Sequence, residues 1–260
     1  MRGGVKMILG GAKLISRVEY GIIERMKEDE MMLIDKGAGR SSFFYVAKVR
    51  RELTQKREEE ERERLLAEGK IKKELGGKKK RIKVGHTGTL DPFATGLLIL
   101  LVGKGTKRSG EFLKLDKEYR ATVRLGATST TGDPEGEIRE RKVEKEPTRK
   151  EVEEAVKEFV GEIEQKVPRF SAVKIQGQRA YKLAREGKEV EMPTRKVKIY
   201  ELEVEEYKYP ELKIRCKVSS GTYVRQLGED IGERLGTGAY LTALRRTKVG
   251  EYCVEDASVV

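Results

Sequence analysis

Two segments in which apolar and polar residues alternate strictly set the strongest limit on how this chain can fold. Apolar side chains occupy every second position from Tyr119 to Leu125, and the same alternation recurs from Leu212 to Val218. A period of two places alternate side chains on opposite faces of an extended strand. Each segment therefore predicts a strand with one buried face.

Helical patterns lie between and after these strands. Thr148 and Glu151 form a capping box ahead of an apolar stripe that runs from Val152 to Val160, and Gly161 stands where a C-cap glycine belongs. A second helix is predicted over about 223–235. The chain contains neither GxGxxG nor GxxxxGK[ST], so a nucleotide cofactor loses its usual sequence support.

Two segments differ from this pattern. Residues 1–30 form an N-terminal extension whose weak apolar stripe, which includes Leu14 and Ile15, predicts a docked helix. Residues 52–83 form a charged insertion that cannot supply a core. Such a run is usually a solvated helix or a disordered tract, and an RNA-contacting insertion is the alternative.

The composition excludes several classes of protein. The longest apolar stretch, from Leu97 to Val102, is far shorter than the ~20 residues of a membrane span, and no secretory signal is recognisable. Two cysteines and one histidine support neither a disulfide framework nor a zinc site. We therefore expect a cytoplasmic protein with no metal and no membrane association.

The net charge favours a polyanionic partner. Lysine and arginine outnumber aspartate and glutamate by 56 to 44, which leaves a formal charge of +12. A field of this sign attracts nucleic acid before any specific contact forms. A lysine-rich surface can equally serve solubility or thermal stability, so charge alone leaves both interpretations open.

The stretch GHTGTLDPFATGLLILLVG, residues 85–103, is the strongest candidate for chemistry. Its glycines permit tight turns, and Asp91 precedes a proline, which disfavours helical backbone angles at the aspartate. This pattern predicts a carboxylate at the rim of a loop, directly before a buried strand. An Asp-Pro turn or a helix N-cap is the structural alternative.

Three other residues carry both a chemical and a structural interpretation. His86 is either a general acid or base or a side chain that bonds the backbone of a glycine-rich turn, and Tyr119 is otherwise a core aromatic. Arg225 lies in the first turn of a predicted helix, where a cation opposes the helix dipole, so we expect an anionic partner. Asp91 and Asp133 are the candidates, and the pKa of a carboxyl group beside Arg225 would fall by ~1 to 3 units.

Four stretches lie in a fixed order along the chain. They are GHTGTLDPFATGLL at 85–98, KEYRATVRLG at 117–126, VPRFSAVKIQGQRAYKLAREG at 167–187 and SSGTYVRQLGEDIGERLGTGAYLTALRRTKVGEY at 219–252. In order and spacing they resemble the TruB-type tRNA pseudouridine synthases of bacteria. The resemblance implies an α+β pseudouridine synthase fold, in which helices flank a mixed, mainly antiparallel central sheet, and a catalytic domain over residues 31–256.

The resemblance also assigns roles to particular residues. Asp91 matches the aspartate that attacks the target nucleoside, and Tyr119 matches the tyrosine that stacks on the flipped base and acts on a C2′ proton. Arg225 matches the arginine paired with the catalytic aspartate, and Asp133 matches the acid that holds this arginine. The matched RNA-binding and pocket residues are His86, Tyr223, Leu244, Lys36, Arg169 and Lys174.

The implied reaction isomerises uridine to pseudouridine in the T loop of tRNA, at position 55, and requires no cofactor. The target nucleotide is stacked inside folded RNA, so the enzyme must extrude it. In the family, the segment that matches residues 167–193 includes a thumb-like loop that closes on the T arm. Here it carries six cations, although a solvated basic loop remains the alternative.

The sequence departs from the family pattern at several places. The usual Lys-Pro-x-Gly turn reads Lys36-Gly37-Ala38-Gly39, which lacks the rigidity of proline. We also expect no C-terminal RNA-binding module after Asp256, and the basic residues 78–83 would partly compensate for it. We expect a monomer. A guide-RNA-dependent synthase and a tRNA-folding chaperone are the competing functions.

Overall fold

The computed structural model describes residues 14–15, 31–69, 81–171, 173–175, 177–188 and 190–259. The chain divides into two compact units, the first comprising Met1–Leu113 with Glu251–Val260 and the second Lys114–Gly250. The predicted N-terminal extension, apart from Leu14 and Ile15, and residues 70–80 of the charged insertion lie outside the described residues.

The elements of the first half of the chain begin with a short strand and end with a helix that carries a capping box. In order they are β1 (Leu14–Ile15), β2 (Met31–Lys36), α1 (Ser42–Ala67), β3 (Val84–His86), β4 (Thr95–Val102), a 3₁₀ turn (Gly103–Arg108), α2 (Ser109–Leu113), β5 (Lys117–Leu125), β6 (Ala127–Ser129), β7 (Ile138–Glu140) and α3 (Arg149–Lys157).

The second half contains the longest strands. In order its elements are β8 (Gly161–Lys166), β9 (Lys174–Ile175), β10 (Gln178–Arg179), α4 (Ala180–Arg185), β11 (Thr194–Lys208), β12 (Glu211–Val218), α5 (Val224–Arg234), β13 (Ala239–Val249), β14 (Tyr252–Cys253), a 3₁₀ turn (Val254–Asp256) and β15 (Ser258–Val259).

In the first unit β4 is the strand with the longest continuous buried run. Residues 96–102 of this strand are all buried, as expected for a continuous apolar run. Strands β2 and β3 pair with β4 in antiparallel register, and β1 and β15 pair with β2 in parallel register. The helix predicted at Leu14 and Ile15 is therefore wrong, because the backbone there pairs with the edge of β2.

Helix α1 spans the boundary between core and solvent. Ser41 caps its start by accepting a bond from the backbone N–H of Phe44, and the buried side chains end at Leu53. Beyond Leu53 the helix continues to Ala67 through alternating charges, with an i,i+4 ion pair between Lys56 and Glu60. The first half of the charged insertion is thus a solvated helix, which was one of the two expected structures.

In the second unit the sheet order is β13–β5–β12–β11–β8, and every neighbouring pair is antiparallel. Strand β12 buries all four apolar residues that the sequence pattern marks, and β5 buries Ala121, Val123 and Leu125 but leaves Tyr119 half-buried. Helix α3 packs on β11 and helix α5 packs on β13. The predicted α+β architecture with a mainly antiparallel sheet is confirmed.

Helix α3 has the predicted start but ends earlier than predicted. Thr148 and Glu151 form the complete capping box, and Val152, Ala155 and Val156 are buried. The helix ends at Lys157, and Gly161, with φ +115°, opens strand β8 instead of closing the helix. No helix in the described part of the chain is long and apolar enough to cross a membrane.

Candidate active site

The loop that carries Asp91 joins β3 to β4 and is fastened to the start of α1. The hydroxyl of Ser42 donates to the carbonyl oxygen of Leu90 at 2.9 Å and accepts from its backbone N–H at 2.8 Å. The backbone N–H of Gly39 donates to the carbonyl oxygen of Pro92 at 2.8 Å. Both backbone neighbours of Asp91 are therefore fixed, while Asp91 itself is half-buried at the rim.

Lys36, the last residue of β2, lies fully buried beneath the same loop. Its Nζ donates to the carbonyl oxygens of Gly37, Pro92 and Ala94 at 2.9, 3.1 and 2.6 Å. A buried ammonium group has to satisfy its donors internally. Despite the missing proline, the turn places Lys36 as an internal support of the loop that carries Asp91.

His86 lies in the same unit, at the end of β3 opposite Leu100 of β4. The ring is half-buried. The N–H of the next residue, Thr87, donates to the carbonyl oxygen of Ile99 at 3.0 Å, so β4 holds the start of the turn. Three of the predicted site residues, Lys36, His86 and Asp91, thus lie in the first unit.

Arg225 is the centre of the polar contacts in the second unit. Its side chain is 6% exposed, and one guanidinium nitrogen lies 3.3 Å from Oδ2 of Asp133, whose side chain is 4% exposed. The same nitrogen donates to the carbonyl oxygen of Thr131 at 2.6 Å, and the other terminal nitrogen donates to the carbonyl oxygen of Phe170 at 2.8 Å. Asp133, one of the two candidate partners, thus forms an ion pair with Arg225 within the second unit.

The second carboxylate oxygen of Asp133, Oδ1, also accepts hydrogen bonds. Oδ1 accepts bonds from the hydroxyl of Thr131 at 2.5 Å and from the backbone N–H of Glu135 at 3.0 Å. A carboxylate with these donors and an adjacent guanidinium is strongly fixed in position. The Asp133 turn therefore presents a rigid anion to Arg225.

Glu229 lies one helical turn after Arg225 on α5 and contacts the same turn. Gly132 adopts φ +72°, a backbone conformation that favours glycine, and a Cβ built there would lie 2.6 Å from Oε1 of Glu229, which shows how closely this carboxylate approaches the turn. Burial raises the pKa of Glu229 to about 7, and the neighbouring carboxylates, first that of Asp230 and then that of Asp133, add to the rise against the opposing effect of Arg225. Sequence reasoning did not identify Glu229.

Tyr119 and Leu244 lie on the same face of the sheet in the second unit. Leu244 of β13 pairs with Ala121 of β5, and the next pair on this face joins Arg246 with Tyr119. The guanidinium of Arg246 is buried, and so is the ammonium group of Lys117, two residues before the tyrosine. Burial, and after it the charge of the adjacent Arg246, lower the pKa of Lys117 to about 8.

Tyr223 is fixed by a glutamine that the sequence analysis did not single out. Gln165 of β8 is buried, and its side-chain amide donates to the carbonyl oxygen of Tyr223 at 3.0 Å while accepting from its backbone N–H at 2.8 Å. These bonds satisfy the backbone at the start of α5, which Arg225 follows two residues later. The sequence signal that could have identified Gln165 is a glutamine at a position of β8 that faces the core.

The thumb segment, residues 167–193, is folded rather than a solvated loop. Strands β9 and β10 form a hairpin, α4 follows, and Val167, Ala180 and Met192 form a small buried cluster. All six predicted cations are exposed around this cluster; they are Arg169, Lys174, Arg179, Lys182, Arg185 and Lys188. The carbonyl oxygen of Phe170 that binds Arg225 lies at the start of this segment.

The ten predicted site residues are divided between the units. Asp91, Lys36 and His86 belong to the first, and the second holds Tyr119, Asp133, Arg169, Lys174, Tyr223, Arg225 and Leu244. Across the described residues, no group of three or more His, Cys, Asp or Glu side chains is arranged to hold a metal ion. The side chains that are present offer a carboxylate, a phenol and a guanidinium.

The sequence of this chain matches family models and known proteins. The N-terminal domain of the TruB family pseudouridylate synthases matches residues 72–224, and the tRNA pseudouridylate synthase B C-terminal domain matches residues 225–260. The chain is 46% identical over 230 residues to the tRNA pseudouridine synthase B of Phocaeicola vulgatus, covering 88% of this chain and 89% of that protein. This chain belongs to the TruB family of pseudouridylate synthases, as its motifs predicted.

Other relatives agree with this assignment. The tRNA pseudouridine synthase B of Bacteroides fragilis is 52% identical over 178 residues, which cover 68% of this chain and 76% of that protein. Among solved structures, a chain of a Cbf5–Nop10–Gar1 complex is similar with a TM-score of 0.57 and 27% identity, covering 85% of this chain and 50% of that one. This chain thus spans about half the length of that protein. The predicted pseudouridine synthase fold is confirmed.

Proposed function

We propose that this chain isomerises uridine to pseudouridine in tRNA, at position 55 of the T loop, as a monomer and without a guide RNA. The 46% identity to the Phocaeicola vulgatus synthase over 88% of the chain carries this proposal. The reaction is an isomerisation, in which the bond between C1′ and N1 breaks, the uracil rotates and C5 joins C1′, while C5 loses its proton and N1 gains one. Neither a redox step nor transfer to a second molecule is involved.

In this proposal Asp91 is the nucleophile. Its loop is supported by Lys36 and Ser42, which limits the movement of the backbone on both sides of the carboxylate. A covalent adduct with an aspartate divides one difficult step into two easier ones. Holding the nucleophile in place before the substrate arrives lowers the entropic cost of the attack.

Tyr119 and Arg225 act on the same nucleotide in the proposed mechanism. Tyr119 stacks on the extruded uracil, takes the C2′ proton and returns it to C2′ as C5 bonds to C1′, while Leu244 on the neighbouring strand forms part of the wall beside it. Arg225 supplies positive charge, and Asp133 and two carbonyl oxygens fix its orientation. Preorganised charge of this kind stabilises a transition state without reorganisation during the reaction.

Extrusion of the uridine costs a few kcal/mol, which protein contacts to the RNA must offset. We propose that the exposed cations of the thumb segment, Arg169 and Lys174 among them, contact phosphates of the T arm. His86 and Tyr223 line the path of the flipped nucleotide in this proposal. Contacts to phosphates fix register but do not read sequence, so the fold of the T arm would select the site.

The test is to incubate the purified chain alone with an unmodified tRNA transcript and to map pseudouridine at nucleotide resolution. We expect a single modified position, uridine 55. A transcript with cytidine at this position is the matched control and should give no product. Product at other positions only, or none in any transcript, would contradict the proposal.

A guide-RNA-dependent synthase is the second candidate. A chain in a structure described as an H/ACA RNP bound to a substrate RNA is similar to this one, with a TM-score of 0.55 and 25% identity. The chain spans 48% of that protein, whereas it covers most of the tRNA synthase relatives. The same incubation separates the candidates, because a guide-dependent enzyme would leave the bare transcript unmodified.

A further inference from the structure

Two phenylalanines at the start of α1 face solvent. Phe43 is 61% exposed and Phe44 is 41% exposed, although the adjacent Tyr45 and Val46 are buried in the core. Ala47, four residues after Phe43 and three after Phe44, is also exposed and is too small to cover either ring from that side. Two aromatic rings are thus exposed to solvent in the first turn of α1.

Each ring lies against an arginine. The guanidinium carbon of Arg40 is 4.9 Å from the ring centroid of Phe44, and that of Arg50 is 5.9 Å from the centroid of Phe43. Residues 36–51 contain five cations and no acidic residue, and of these only Lys36 is buried. We call Arg40, Phe43, Phe44 and Arg50 the aromatic platform.

The aromatic platform adjoins the loop of Asp91 within the first unit. Ser42, whose hydroxyl bonds both backbone groups of Leu90, directly precedes Phe43. Gly39, which bonds Pro92, directly precedes Arg40. The hydrogen bonds that fix the backbone beside Asp91 therefore also fix the platform relative to that loop.

We propose that the aromatic platform binds an unpaired base of the RNA substrate, which stacks on the phenylalanine rings while the arginines contact its phosphates. This inference rests on the proposed function, because it assigns a substrate contact near the nucleophile. Exposed aromatic rings that each lie against an arginine, in a segment with five cations and no acidic residue from 36 to 51, are complementary to a polyanion with flat bases. An apolar protein partner would not be matched by this concentration of positive charge.

The direct test uses fluorescence. The chain contains no tryptophan, so Phe44→Trp introduces a single reporter on the platform. We expect tRNA transcript to quench this fluorescence saturably, with a midpoint that matches the KM for the same RNA. The matched control is Tyr200→Trp, at another exposed aromatic residue that lies near a cation, Lys198 at 5.5 Å, and it should show no saturable quenching.

The kinetic test removes the rings but keeps apolar bulk. A Phe43→Leu/Phe44→Leu variant should raise the KM for tRNA about fivefold or more and leave kcat within about twofold, because stacking on an aromatic ring contributes to binding rather than to the reacting atoms. Arg40→Gln should raise the KM and reduce its salt dependence. Tyr200→Leu should match the wild-type enzyme in both constants.

The outcomes separate this inference from the function on which it rests. If the wild-type chain forms no pseudouridine, the proposed function fails. If it forms pseudouridine but the leucine variants keep the wild-type KM and Phe44→Trp is not quenched by RNA, the platform proposal alone is overturned. Quenching that depends on protein concentration without RNA would assign the surface to a second copy of the chain and would also overturn it.

Discussion

Two buried cations organise the candidate site by binding main-chain carbonyl oxygens. Lys36 holds three such oxygens around the Asp91 loop, and Arg225 holds those of Thr131 and Phe170. Bonds from an ionised donor are stronger than neutral bonds. Lys36 joins the residue that follows β2 to the loop between β3 and β4, and Arg225 joins the Asp133 turn to the start of the thumb segment. A single side chain can therefore fix several backbone segments at once.

Asp133 should be essential for the stability of this arrangement. Replacing Asp133 with Asn leaves the buried guanidinium of Arg225 without its ionic partner, so we expect the free energy of unfolding to fall by about 3 kcal/mol. Urea denaturation at pH 7 measures the change. Asp116→Asn is the control, since Asp116 is half-exposed and accepts a long 3.3 Å bond from Tyr200. If Asp133→Asn and Asp116→Asn have the same free energy of unfolding, the inferred role of the ion pair between Asp133 and Arg225 is contradicted.

Glu229 should make stability depend on pH. Its pKa in the folded chain, about 7, exceeds the ordinary value of 4.5, so the folded state binds the proton more tightly than the unfolded state. The contribution to stability is complete below pH 4.5 and is lost as the pH rises through about 7. Glu229→Gln, which mimics the neutral form, should gain roughly 1 to 2 kcal/mol relative to wild type between pH 5 and pH 8.

The measurement is a series of urea titrations at pH 5, 6, 7 and 8. Glu154→Gln, at an exposed position on α3, is the control and should show no such trend. A stability difference between wild type and Glu229→Gln that stays constant across this range would contradict the assignment of the raised pKa to Glu229.

At the scale of elements, the thumb segment shows how a small buried cluster can fix the conformation of a basic surface. A small cluster around Val167, Ala180 and Met192 supports its hairpin and helix, so its exposed cations do not depend on RNA for their general placement. Ordering the cations before binding reduces the entropy lost when RNA binds. The segment is therefore suited to phosphate contacts.

The salt dependence of binding tests this role. Replacing Arg179 with Gln should weaken tRNA binding and reduce the slope of log Kd against log salt by about 1, the change expected for one lost phosphate contact. Lys150→Gln, an exposed cation on α3, is the matched control and should leave the slope unchanged. Identical slopes for the two variants would argue against thumb contacts with phosphate.

The elements themselves were largely predictable from sequence, because their signals are local. The alternation in β5 and β12 and the capping box of α3 depend on neighbouring residues, and the structure has all three. The end of α3 and the strand at Leu14 were not predictable in this way. A strand at a sheet edge depends on a partner distant in sequence, and the apolar stripe beyond Lys157 does not distinguish a helix from a turn that packs beside it.

The contacts within the candidate site were only partly predictable. Motifs identified Asp91, Arg225 and Asp133 as residues of the site. They did not identify the bonds from Arg225 and Lys36 to carbonyl oxygens, because every residue carries a carbonyl oxygen and the identity of the side chain gives no signal of such a bond. Glu229 and Arg246 lie within the same motifs. Their significance depends on burial and register, which the sequence pattern does not reveal.

At the scale of the whole molecule, the net charge of the chain and its proposed reactive groups both indicate RNA as the partner. The formal charge of +12 attracts RNA at long range, and each of the two compact units holds part of the proposed reactive set, Asp91 in the first and Tyr119 with Arg225 in the second. Positive charge brings the substrate to the protein without selecting a nucleotide.

The most direct test of the central claim is the rate of pseudouridine formation by Asp91→Asn under single-turnover conditions, with tRNA binding measured on the same protein. We predict a rate at least roughly 10³-fold below wild type, because the amide cannot replace the nucleophile, with binding of tRNA retained. Asp256→Asn, an exposed aspartate in the same unit, should react at the wild-type rate. Undiminished pseudouridine formation by Asp91→Asn would contradict the account, and absence of product from both wild type and variant, with tRNA still bound, would leave an RNA chaperone in its place.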